Sequence, residues 1–278
     1  MEHGDGSGSS TMHRRCERLR RTIAGHRRRT EQERAAFEQF RREITSIEDQ
    51  LGQGPASERI INSVGADTAV SGWTQPMVNP TVAAQELVRE AFSTTIMGLP
   101  FYDEEYGESL PDAIVGEFGP AIATGLTDPD CFGPHLFGGL LQGVEQAQRA
   151  REVLLETCDR EQHAIGALSA KLPSFARELA QVEELQVGVS DFGALEAYWH
   201  RLETIGDQCG TLAMRRQRVI NRQRAQYQLA AEDIDIYEYL YREYPVSYPM
   251  LAMLTSTIVA AEQHQRTLMR AMGGWDGG

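Results

Sequence analysis

Residues 144–226 run VEQAQRAREVLLETCDREQHAIGALSAKLPSFARELAQVEELQVGVSDFGALEAYWHRLETIGDQCGTLAMRRQRVINRQRAQ and carry two apolar stripes at helical spacing. The first steps by threes and fours through Val144, Ala147, Arg151, Leu154, Cys158, Glu161, Ile165, Leu168, Leu172, Phe175, Leu179 and Val182. Spacing of about 3.5 residues keeps one stripe of an α-helix turned toward a partner. Gly188 ends that pattern, and Ser190 or Asp191 can cap a following helix by accepting from its free N–H groups. A second stripe then passes through Leu195, Tyr198, Leu202, Ile205, Cys209, Leu212, Arg216, Val219, Gln223 and Gln226. A connection this short makes the two helices antiparallel. Pro173 lacks an N–H and predicts a kink or break in the first arm.

Antiparallel contacts share a constant sum of residue numbers. Setting Leu195 against Val182 aligns the apolar layers and places Val219 against Cys158. The same register sets Arg216 against Glu161 and Gln226 against Arg151. These four residues are the candidate structural polar pairs, because a buried charge is tolerable only when it is opposed.

The flanking sequence extends the helical reading. Residues 1–10 are Gly/Ser-rich and read as a disordered tail, and 273–278 as a loose one. Residues 11–51 repeat the seam through Met12, Cys16, Leu19, Ile23, His26, Thr30, Glu33, Phe37, Phe40, Ile44, Ile47 and Leu51. That helix is expected to pack on the hairpin or on a second subunit. Residues 52–80, rich in Gly and Pro, read as a linker, with a short helix near 57–64 and Trp73 as an anchor. Residues 81–133 read as short helices, one over 81–97 and one from Pro111 to about Gly125. The hairpin occupies 134–230, and C-terminal helices occupy 231–272.

Charge is uneven along the chain. Residues 11–34 hold nine Arg and three Glu, whereas 81–135 hold ten acids and one Arg. The basic run supplies the candidate interaction residues Arg14, Arg15, Arg18, Arg21, Arg27, Arg28 and Arg29. Such a run suits an anionic partner or acidic helices of the same chain, and the second is preferred. The net charge is −13, with Lys171 the sole lysine among 27 basic residues. An acidic surface of this kind suits a salt-adapted protein, since carboxylates hold water while salt screens their repulsion. Arg-biased codon usage is the alternative reading. The four cysteines form no CxxC pair, and three of them lie on seam positions, as expected of reduced thiols in a cytoplasm. No apolar stretch is long enough to predict a membrane span.

A di-iron bundle needs Glu and His three apart on one helix face. Here Glu161 and His163 are two apart, as are Glu262 and His264, while Glu196 and His200 are four apart. Gly166 to Lys171 resembles a phosphate loop, but Ala170 stands where the second glycine is needed. Asp103, Glu104, Glu105, Glu108 and Asp112 read as a solvated acidic face. No catalytic residue, metal ligand or cofactor is expected.

Two segments, FYDEEYGESLPDAIVGEFG at 101–119 and EYLYREYPVSYPMLAML at 238–254, resemble a haloarchaeal family of helical proteins known only as a domain of unknown function. The resemblance covers most of 11–272. It implies an all-α, salt-adapted protein and brings no activity or ligand. The expected fold is all-α, an elongated antiparallel helical bundle or coiled coil with short accessory helices. The expected role is non-enzymatic, with a protein helix (self or other) as partner and homo-oligomerisation open. The alternative is an Arg-mediated binder of nucleic acid or another anionic surface.

Overall fold

The computed structural model describes residues 7–52, 80–128, 131–184, 191–227 and 235–273. The expected linker around Trp73, the helix near 57–64, the Gly188 turn and the 273–278 tail beyond Gly273 lie outside the described residues. The protein is all-α, with no strand among the described residues. The helices are α1 (Ser7–Gly52), α2 (Pro80–Thr95), α3 (Tyr102–Glu105), α4 (Leu110–Phe118), α5 (Pro120–Gly125), α6 (Pro134–Glu183), α7 (Phe192–Tyr227), α8 (Ile236–Leu240) and α9 (Pro249–Gly273). The chain divides into two compact units. One comprises 27–156, and the other comprises 1–26 with 157–278. Helices α1 and α6 each contribute to both.

Unit 27–156 is built on an aromatic core. Phe37, Phe40, Ile44 and Ile47 of α1 are buried with Val88, Phe92 and Ile96 of α2 and with Leu140 and Val144 of α6. The 3–4 spacing of the α1 residues puts them on one stripe, and burying each such side chain contributes about 1.5–3 kcal/mol. Phe92 meets both Phe40 and Phe118 edge-on, with ring centroids 5.5 and 5.7 Å apart. Phe118 reaches that core because position 143 is glycine, where a Cβ would come within 2.8 Å of its ring.

Helix α2 ends two residues before the expected Met97, where Met97 N–H bonds back to Phe92 O at 3.3 Å. The helix expected from Pro111 to Gly125 is two helices, α4 and α5. Gly119 between them has φ of 82°, left-handed backbone that favours glycine, and Pro120 disfavours helical geometry in the residue before it. Ser109 caps α4 by accepting from Asp112 N–H at 3.4 Å.

In the other unit, Asp191 caps α7, its Oδ1 accepting from Ala194 N–H at 2.7 Å. Helix α6 runs unbroken past Pro173, which does not end it as the sequence allowed. Helix α9 packs along α7. Its buried residues Met250, Met253, Leu254, Thr257, Ala261 and Leu268 share one face, and Gln265 donates to Trp199 O at 3.5 Å. The α7 stripe departs from the sequence reading at one layer. Val219 is 41% exposed, and Ile220 is fully buried in its place. A straight helix has about 3.6 residues per turn, so it drifts by about 20° per heptad from a strict seven-residue repeat. Two heptads past Leu202 and Ile205, Arg216 keeps its seam position, but the next buried residue is Ile220 in place of Val219, before Gln223 resumes the seam.

Candidate functional site

Among the described residues each unit contains a cluster in which an arginine pairs with a carboxylate that also accepts from a tyrosine hydroxyl. In unit 1–26/157–278 the arginine is Arg216 of α7. Its Nη2 donates to Glu161 Oε2 of α6 at 2.7 Å, and its Nη1 lies 2.6 Å from Oε1. Glu161 is 0% exposed and Arg216 7%. Tyr241 donates from its hydroxyl to the same Oε2 at 2.6 Å. The Tyr237 ring lies under the guanidinium, 5.1 Å from Cζ to centroid, and its hydroxyl donates to Gln223 Oε1. Tyr237 and Tyr241 share a face because they are four apart, spanning the short helix α8.

Asp235 starts that helix. Its Oδ1 accepts from Tyr237 N–H at 3.0 Å, and its Oδ2 accepts from Tyr248 at 2.6 Å and faces Arg224 Nη2 at 2.6 Å. Two further tyrosines of the segment meet α1. The Tyr244 hydroxyl lies 3.1 Å from Thr22 Oγ1 with Arg18 over its ring, and Tyr239 tilts against His26 with centroids 5.2 Å apart.

The electrostatics follow from this geometry. Burial opposes the charge of Arg216, but the adjacent Glu161 carboxylate outweighs it and holds the guanidinium pKa above its ordinary value. Burial, then Glu161, pushes the Tyr241 phenol well above the usual tyrosine range, and the same two causes raise Tyr237. Tyr248 is pushed up to about 12, by desolvation first and by Asp235 second. The cluster is not fully satisfied. Although Nη1 is close to it, Glu161 Oε1 lacks a partner in hydrogen-bond geometry among the described residues, as do Arg216 Nε and Gln223 Nε2.

In unit 27–156 the arginine is Arg151 of α6. The sequence paired it with Gln226, whose side chain lies outside the described residues. Among the described residues Arg151 is taken by two acids. Its Nε donates to Glu33 Oε2 at 3.2 Å, and Nη1 and Nη2 donate to the two oxygens of Glu117 at 3.0 and 2.5 Å. The guanidinium also covers the Phe37 ring at 4.6 Å. The reason is charge. A guanidinium has five donors, and two carboxylates match them in both charge and number of acceptors.

Tyr106 donates to Glu33 Oε1 at 2.9 Å, Tyr102 donates to Glu108 at 2.9 Å, and Glu105 lies 3.6 Å from Arg29. Tyr102 is raised above the usual range, chiefly by burial and then by Glu108. The acidic face read at 103–112 is therefore partly an internal one. Glu33 had appeared only as a polar interruption in the α1 seam.

Both tyrosine-rich segments quoted from the sequence thus contribute side chains to an arginine–carboxylate cluster. The family model described as Domain of unknown function (DUF7260) matches residues 14–265. The chain belongs to the DUF7260 family. No curated protein and no solved structure matches it.

The remaining candidates of this DUF7260 chain lie at the surface of α1 or close to it. Arg14 donates to Thr11 at 3.1 Å, Arg21 to Glu17 at 3.3 Å and Arg27 to Glu31 at 2.6 Å. Arg15 and Arg28 are exposed and have no partner among the described residues. Sequence reasoning missed Tyr237, Tyr241, Gln223 and Glu117 as cluster members. Their one legible signal was the i, i+4 spacing of the two tyrosines. Among the described residues no group of His, Cys, Asp and Glu is arranged to hold a metal ion, and no helix is long and apolar enough to cross a membrane. Cys16, Cys158 and Cys209 are buried free thiols, and Cys131 is an exposed one.

Proposed function

We propose that this DUF7260 chain is a non-enzymatic helical interaction protein, adapted to high salt in a reducing cytoplasm, whose work is to hold long helices in one register and present their outer faces to other helices. In this reading α6 and α7 form an antiparallel coiled-coil hairpin, and the haloarchaeal character implied by the resemblance applies to this chain.

The observation that supports it is the Glu161–Arg216–Tyr241 cluster. A buried ion pair gives little net stability against well-packed apolar residues of the same volume, and one with unpartnered atoms gives less. A polar layer in a helical seam has a better-attested use, which is to penalise every register except the one that satisfies it. That is what a scaffold of long helices needs. Light scattering and cross-linking of the full chain in molar KCl test the reading. Self-association, or reproducible cross-links to another protein in native high-salt lysate, is the expected result. A strictly monomeric chain with no cross-linked partner would refute it.

A second reading, binding to an anionic surface, draws on the exposed and unpartnered Arg15 and Arg28. Its signature is duplex DNA binding whose affinity falls linearly with salt on logarithmic axes, and which fails when both arginines are replaced.

A further inference from the structure

We infer that the outward face of α7 carrying Arg215, Arg218, Val219 and Arg222 is a docking strip for helix α2 of a second copy of this chain. The proposal rests on the interaction reading above and names its surface and its partner.

Residues 215–224, RRQRVINRQR, hold five arginines and no acid. Two are used internally, Arg216 by Glu161 and Arg224 by Asp235. Arg215, Arg218 and Arg222 are exposed and have no partner among the described residues. Positions 215, 218, 219 and 222 stand at i, i+3, i+4 and i+7, which places them within an arc of about 100° on the helix. Within that arc is Val219, an apolar residue 41% exposed where the seam pattern expected burial. Three free guanidiniums around an open valine call for a surface that is acidic and has an apolar centre. A phosphate backbone would serve the arginines and leave the valine in water.

Helix α2 has the complementary pattern. Glu86 and Glu90 are exposed and have no partner among the described residues, and Leu87 is half-buried. Glu86, Leu87 and Glu90 repeat the i, i+1, i+4 spacing of Arg218, Val219 and Arg222. At about 1.5 Å rise per residue, the carboxylates and the guanidiniums are each about 6 Å apart along their helices. Arg–carboxylate contacts can then form at both ends with an apolar contact between them. Arg89, exposed beside Glu86, is the one like charge on α2.

Charge distribution favours the same pairing. Residues 1–26 with 157–278, which include α7, hold 19 acids and 17 basic residues, whereas 27–156, which include α2, hold 21 acids and 10. The strip is short against the roughly 1,200 Å² that a stable interface buries, so the contact is weak and reversible. It is also heterologous: each copy offers both faces, and association continues beyond a dimer as concentration rises unless the geometry closes.

The test is a reciprocal charge swap in the full chain, read by light scattering over a concentration series in 0.1 M KCl. The native chain is expected to gain mass with concentration. R218E/R222E and E86R/E90R, each alone and each shown to be folded by circular dichroism, should associate at least tenfold more weakly. An equimolar mixture of the two should regain native association, because each supplies the charge the other has lost. If a double variant fails to fold, the neutral pair R218Q/R222Q against E86Q/E90Q replaces the swap, with loss of association in each as the expected result. A native chain that stays monomeric overturns the proposal, and so does a folded double variant that associates as well as native. A mixture that fails to recover while the native chain still associates also overturns it and leaves the broader interaction reading standing. Binding of a 20-base-pair DNA duplex that is lost in R218E/R222E, with no self-association, would assign the strip to a polyanion instead.

Discussion

At the scale of single residues, the two arginine clusters are where charge, burial and hydrogen bonding are most tightly coupled. Removing one partner of a buried pair leaves the other uncompensated, so Glu161→Gln and Arg216→Met should each cost about 3–5 kcal/mol in denaturant melts. The double variant should cost clearly less than the sum, since it leaves no orphaned charge. Additive losses would show that the two groups do not act as a pair. Tyr241→Phe removes a hydrogen bond to a charged group and should cost about 1.5–3 kcal/mol.

The tyrosines also fix a pH dependence. Tyr102, Tyr237, Tyr241 and Tyr248 all hold their protons more tightly in the folded chain than the usual value near 10. Above pH 10 the unfolded state therefore releases protons that the folded state keeps, and stability falls as pH rises. Their contribution is whole below pH 10 and lost progressively above it. Absorbance at 295 nm during alkaline titration should show Tyr248 ionising near 12, with Tyr237 and Tyr241 ionising only as the chain unfolds. A normal titration of all nine tyrosines near 10 in a chain that is still folded would contradict this. Thiol chemistry gives a parallel check. Burial pushes Cys209 up to about 11, so exposed Cys131 should be the thiol alkylated in the native chain at pH 8.

At the scale of the helix, the instructive residues are Val219 and Ile220. The heptad reading puts Val219 in the seam, and the structure puts Ile220 there. Ile220→Ala should therefore cost about 2–5 kcal/mol, while Val219→Ala should stay within about 0.5 kcal/mol. The reverse order, measured in urea melts, would restore the strict heptad. Much of the helical reading was legible because apolar spacing reports which face of a helix is covered. Every α1 seam position from Cys16 to Ile47 is buried, including polar His26, Thr30 and Glu33.

Less legible was what covers a given polar residue. The contact of Arg216 with Glu161 could be reached from layer matching, because both lie on long helices whose spacing carries over many turns. Arg151 with Glu117 could not, since Glu117 sits on a nine-residue helix, α4, whose placement depends on the Gly119–Pro120 break. Tyr241 lies in the quoted segment 238–254 and Tyr237 one position before it, but nothing local says that they approach Glu161 and Gln223. Short helices transmit no register, so their side-chain targets are set by packing.

At the scale of the molecule, the deciding quantity is the uneven charge. Residues 27–156 carry most of the net charge of −13, with 21 acids against 10 basic residues. Several of those acids, among them Glu86, Glu90, Asp103 and Glu104, are exposed and have no partner among the described residues. In dilute buffer such carboxylates repel one another and favour the expanded chain; in molar salt the screening length shrinks to about 3 Å and only pairs in contact still interact. The Glu161–Arg216 pair is little affected, because it is buried and its charged groups are in direct contact. The proposed salt adaptation thus predicts a thermal midpoint that rises between dilute buffer and molar KCl, each 1 kcal/mol of relieved repulsion moving it by about 2–4 °C. Neutralising Asp103→Asn with Glu104→Gln should reproduce part of that rise in dilute buffer and add little in molar KCl, since the repulsion it removes has already been screened. A midpoint that is flat or falls along the KCl series, or a neutral variant whose benefit is the same at both salts, would leave the acidic surface without a role in stability.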